Sequence, residues 1–247
     1  MPPARRRNTR ALRQTPAPQS FYTSTLVTEP TTSSFYPEFK IIKTAIESVN
    51  SFNLLYRNAR TGAGGPATHQ QQDLYRAMLV FSCAGLDVFL KQIIKTKLPD
   101  ILSRNTTAKN AFKEFIRRGV NKDETKLLSI LALALTEQNP RDVLLEEYIK
   151  SLTAGSLQAV DELEKVVSAL ALDKSVIFVG STLNSLKDAF IVRNQIIHEM
   201  DINIASGGPR TTGYRNRRQR TETLVEGHTT TILSFAERLF VACKAQL

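Results

Sequence analysis

The chain has 247 residues, of which 42% are hydrophobic, and a formal net charge of +10. That length suits one large domain or two small ones, and the apolar content is enough for a real core. The positive balance favours a polyanionic partner, nucleic acid or an anionic membrane surface, without specifying a fold. The only two cysteines, Cys83 and Cys243, stand far apart in apolar contexts, and the three histidines are isolated from them and from one another. A disulfide framework and a Cys/His metal site are thereby excluded, so two buried free thiols in a reducing compartment are expected. No apolar run reaches the ~18 residues of a membrane span, and no apolar segment of a secretory signal follows the basic N-terminus. The expectation is a cytoplasmic protein with no membrane contact.

In chain order, residues 1–34 read as a flexible basic arm. Arg5, Arg6, Arg7, Arg10 and Arg13 alternate with Pro, Thr and Ser, and too little apolar surface is present to offset ordering. Phe21, Tyr22 and Leu26 offer local docking points. From Pro37 the spacing of Phe39, Ile42, Ala45, Ile46, Val49, Phe52 and Leu55 predicts a helix. Thr61–His69 is a Gly-rich break. The next helix, Gln71–Lys97, is apolar on nearly every side between Met78 and Leu90, so a central buried helix ending at Pro99 is expected. Shorter helices are predicted over 110–118, 124–136 (with Asp123 as N-cap), 140–152 (with Pro140 in its first turn) and 156–172. Residues 175–180 suit a short strand or a helix-joining segment. Helices over 182–201 and 222–244 close the chain, separated by a Gly-rich basic loop. Residues 100–178 read as a helical insert, and the whole as all-α.

The segment Val192–Asp201, VRNQIIHEMD, carries the chemistry. At about 100° per residue, Leu186, Ala189, Phe190, Ile196, Ile197 and Met200 form one core-facing stripe with Arg193 in its middle. Asn194, His198, Asp201 and Lys187 share a flanking face, and Asp188, Gln195 and Glu199 point to solvent. An arginine inside an apolar stripe needs a carboxylate partner, an interface or an anionic ligand. Asp87, in the buried helix, is the candidate carboxylate. It serves either as a core acid paired with a Lys or Arg, or as the group that orients Arg193. The loop after the motif holds Arg210, Tyr214, Arg215, Arg217, Arg218 and Arg220, which suits phosphate binding and base stacking or a solvated charge run.

The string RNQIIH resembles the R-x4-H signature of the HEPN superfamily. The buried helix upstream, DLYRAMLVFSCAGLDVFLK (Asp73–Lys91), resembles that superfamily's long second helix. The resemblance covers Gln71–Leu247, with residues 100–178 matched only as a helical insert. It implies a HEPN-like helical bundle over 35–247 that forms a homodimer, with the two motif helices meeting in one composite site. It further implies a metal-independent endoribonuclease without cofactor, typical of toxin–antitoxin and antiviral defence systems and restrained by an antitoxin or another protein partner. Arg193 and His198 would be catalytic and Asn194 supporting. In relatives paired with nucleotidyltransferase antitoxins a Tyr lies two residues after the His. Here that residue is Met200, so control through such a Tyr is not expected. Two alternatives stay open: a non-catalytic HEPN RNA-binding scaffold, and a helical adaptor in which Arg193 is a structural ion-pair partner.

RNA chemistry fits these residues independently. The 2′-OH is an internal nucleophile, so cleavage needs a base, an acid and positive charge on the phosphorane. Histidine serves as base or acid near neutral pH, and an arginine holds the phosphate.

Overall fold

A computed structural model describes residues 20–62, 64–122, 139–202 and 217–247, with isolated positions between 125 and 136. Among the described residues all regular structure is helical: α1 (Tyr36–Arg60), α2 (His69–Arg104), α3 (Thr106–Lys122), α4 (Pro140–Thr153), α5 (Val160–Ala169), α6 (Lys174–Ile177), α7 (Thr182–His198) and α8 (Glu222–Gln246). The helix expected over 124–136 and its cap Asp123 lie largely outside the described residues.

The α1–α2 pair is the frame of the molecule. Pro37 sits in the first turn of α1, and Phe39, Ile42, Ile46 and Val49 form its buried stripe. Thr68 and Gln71 open α2 with a reciprocal capping box, which satisfies two otherwise orphaned backbone donors. The two helices run antiparallel: Ala45 lies against Gly85, Phe52 against Phe81 and Tyr56 against Tyr75. At the crossing only glycine fits, because a Cβ on residue 85 would sit 2.4 Å from the Ala45 Cβ.

Two expectations for α2 change. The helix passes through Pro99 to Arg104, since Ile101 and Leu102 are buried beyond it and the Lys95 carbonyl that loses its partner lies on an exposed turn. Nor is α2 covered all round: Phe81, Ala84 and Val88 form an exposed stripe. By length and composition α2 is also a candidate membrane span, contrary to the sequence reading, but half of the apolar stretch is buried inside the fold.

C-terminal helix α8 fills the other side of α2, with Phe240 packing on Phe35, Phe39 and Phe89. The insert helices α3–α6 form a second layer, where Phe112 and Phe115 flank the Tyr148 ring. Residues 175–180 make no strand: one turn of helix, α6, delivers Phe178 onto Phe235 at 5.7 Å.

The arm boundary moves as well. Residues 1–19 lie outside the described residues, but 20–34 form a bound strap. Tyr22 exchanges backbone hydrogen bonds with the Asn50 side chain, and the buried Glu237 accepts from Tyr22, Ser24 and Thr25. Glu29 pairs with Lys244, and Lys97 donates to the Ser34 carbonyl. Polar side chains dock this strap, which is why its low apolar content misled the expectation.

Candidate active site

Motif helix α7 packs by Leu186, Ala189, Phe190 and Val192, which are buried. The C-terminal half of its apolar stripe is only half covered: Arg193, Ile196 and Ile197 are intermediate in exposure, while Lys187, Asn194 and His198 are exposed. Met200, expected in the core stripe, is 66% exposed. The helix stops at His198, and Met200 and Asp201 both adopt left-handed backbone, with φ of 50° and 56°. That turn swings Met200 out and Asp201 in.

Arg193 donates from Nη1 to Asn194 Oδ1 at 2.9 Å, and its Nε is buried with no acceptor. Among the described residues no carboxylate lies within ion-pairing distance of it. Asp87 is committed elsewhere, accepting from the Leu157 backbone N–H at 2.7 Å and pairing with Lys91 at 2.8 Å. Of the two readings of Asp87, the structure has the acid paired with a Lys and not the one that orients Arg193, and Asp87 also pins the insert to α2. Burial pushes the Cys83 thiol up to about 12, against the opposing pull of the Arg193 charge.

Asp201 does not share an open face with Asn194 and His198. Its carboxylate is fully buried and accepts from Arg76 Nε at 2.7 Å and Arg220 Nη2 at 2.7 Å. The Asp201 N–H and the Glu199 N–H both donate to the Gln195 carbonyl, and Arg220 also donates to Gln195 Oε1 at 2.6 Å. Gln195, expected to face solvent, is thus part of the latch that ends the motif helix. Arg76, its central member, was missed. The signal was present, since Arg76 falls at helical spacing with Leu79, Cys83 and Leu86, a charge on the buried face of α2 as Arg193 is a charge in the stripe of α7.

The basic loop divides. Arg210, Tyr214 and Arg215 lie outside the described residues. The other three arginines are engaged: Arg217 pairs with Asp73 at 2.6 Å, Arg218 with Glu199 at 2.8 Å, and Arg220 with Asp201. Burial alone would raise the Asp73 pKa, but the hydrogen bonds and charges of Arg217 and Arg76 outweigh it and hold that carboxyl below its ordinary value. An isolated bridge between Ile202 and Arg217 closes the loop at its base. These three arginines are ion-paired stem residues, which revises their reading as open phosphate ligands.

Among the described residues no three His, Cys, Asp or Glu side chains gather as metal ligands. What the helix end presents is a cation without a carboxylate, an amide in contact with it, and an accessible imidazole. Arg193 and His198 are five residues apart, so an ideal helix sets them roughly 140° apart around its axis and about 7.5 Å along it. Asn194 lies between them around the helix axis.

No protein-family model matches the chain, and neither the curated proteins nor the solved structures give a significant match.

Proposed function

We propose that this chain is a metal-independent endoribonuclease of the HEPN type, acting as a homodimer on unpaired RNA. The observation that supports it most is the state of Arg193. A guanidinium in a half-covered apolar stripe, whose Nε has no partner and which has no carboxylate beside it among the described residues, is left unsatisfied by them. A phosphate or a second copy of the helix would satisfy it. The angular separation of Arg193 and His198 favours the homodimer, because two antiparallel motif helices bring the arginine of one copy toward the histidine of the other.

In the proposed reaction one His198 takes the 2′-OH proton as the 2′-oxygen bonds to phosphorus. The partner copy's imidazolium gives its proton to the departing 5′-oxygen. Arg193 stabilises the phosphorane charge, and Asn194 orients Arg193 through their hydrogen bond. Atoms balance with no further reactant, leaving 2′,3′-cyclic phosphate and 5′-hydroxyl ends. Arg210, Tyr214 and Arg215 would hold the RNA strand beside the site. The setting proposed is a cytoplasmic toxin or antiviral effector restrained by another protein.

The test is cleavage of a mixed RNA pool in EDTA by the wild type and by His198→Ala, with the end groups mapped. Cleavage by the wild type alone supports the reading. RNA binding without cleavage by either supports the scaffold alternative.

A further inference from the structure

The insert leans on the motif helix and leaves a cleft of about 520 Å³, walled by residues 158–161 on one side and by α7 from Leu183 to Asn194 on the other. It abuts the candidate active site, since Asn194 belongs to both. Phe190 lies buried in its lining and Ile191 is 46% exposed along it. Three carboxamides stand around it, those of Gln158, Asn184 and Asn194. The Gln158 Oε1 atom is buried and, among the described residues, has no donor. A buried acceptor left unpaired is costly, and a ligand that donates to it removes the cost. The charged groups on the walls are Lys187 and Asp161, one of each sign. Such a balance does not suit a bare phosphate. It suits a neutral, flat, polar heterocycle, and carboxamides are side chains that read the hydrogen-bonding edges of unpaired bases.

We propose that this cleft is a nucleobase pocket that seats an unpaired RNA base next to the scissile phosphate, the Gln158 amide turning its Oε1 from its covered position to a donor on the base edge. The ribonuclease reading supplies the identity of this ligand, and the inference rests on it for that. It also gives the insert a task. The Asp87 bond to the Leu157 N–H fixes the wall that carries Gln158, so α2 holds the pocket and packs the motif helix at once.

The test uses the full chain and single-stranded RNA heptamers carrying 2-aminopurine at the centre. Ala159→Trp fills the cleft from its exposed insert wall, away from the motif. Gln158→Leu removes the unpaired acceptor while keeping most of the volume. The wild type quenches 2-aminopurine on binding. Ala159→Trp weakens binding about tenfold or more, as expected for the loss of one seated base, and Gln158→Leu alters the base preference at the cleavage site. Wild-type cleavage with unchanged affinity and preference in both variants overturns the pocket and leaves the ribonuclease reading standing. Quenching that is lost in Ala159→Trp, without cleavage by any protein, sinks the ribonuclease reading and keeps the pocket. Absence of RNA binding by the wild type overturns both.

Discussion

Arg76 and Asp201 meet as a buried ion pair, Nε to Oδ2 at 2.7 Å, with their side chains 3% and 1% exposed. The pair joins the central helix to the end of the motif helix. It also holds two non-glycine residues, Met200 and Asp201, in left-handed backbone, a conformation that costs about 1–2 kcal/mol per residue. His198 is the last helical residue before that turn, so the latch sets where the imidazole is presented.

Removing the acid should therefore be severe. Asp201→Ala leaves Arg220 without a carboxylate and the buried Arg76 with only the half-exposed Asp73, and a loss of about 3–5 kcal/mol in unfolding free energy is expected. Urea denaturation reads it directly. A loss below about 1 kcal/mol, the range of exposed pairs, would show that the latch is not the anchor described.

Arg193 should behave in the opposite way. Among the described residues it has no carboxylate to abandon, so Arg193→Met is expected to leave stability within about 1 kcal/mol or to raise it. RNA cleavage should fall by about 100-fold or more, as when a group that stabilises transition-state charge is removed. Parallel denaturation and cleavage assays check both halves. A strongly destabilised Arg193→Met protein would mean that Arg193 is a structural cation.

The helix crossing gives a prediction independent of function. Gly85→Ala places its Cβ against Ala45 and should cost about 1–3 kcal/mol through overpacking. Ala45→Gly in the same chain should restore much of that loss. A double-mutant cycle measures the coupling, and additive effects would contradict the close approach.

Stability should fall on mild acidification through His228, and again at lower pH through Asp73. His228 has its pKa lowered by burial and by Arg220, with Asp188 opposing. A histidine with a depressed folded pKa contributes stability above its unfolded value near 6.5, and this is lost as pH falls through the folded value. Asp73 is depressed too, so its share is present above its unfolded value near 3.9 and is lost at still lower pH. Melting temperatures between pH 8 and 5 should decline, and the decline should flatten in His228→Gln. A slope equal to that of the wild type would exclude His228 as its source.

Much of the fold was legible because long helices announce themselves by period. The stripe of α1, the Gly-rich break, the first-turn Pro140 and the last helix all follow from spacing and caps. Partners across the fold were not legible. Asp87 reads as a core acid paired with a Lys or Arg, and Lys91 one helical turn on is such a partner, but only three-dimensional proximity gives it Leu157. Asp201 falls on the Asn194–His198 face only if the helix continues, and a turn of two left-handed residues cannot be read from Met-Asp. The strap at 20–34 was hidden because its anchor, Glu237, lies more than 200 residues away. Arg193 was legible because a charge in an apolar stripe is a local anomaly.

The most direct measurement is the end chemistry of RNA incubated with purified protein in EDTA, for the wild type and His198→Ala side by side. The account predicts 2′,3′-cyclic phosphate and 5′-hydroxyl ends from the wild type and none from the variant. Cleavage that requires a metal, leaves 3′-hydroxyl ends or persists undiminished in His198→Ala would contradict it.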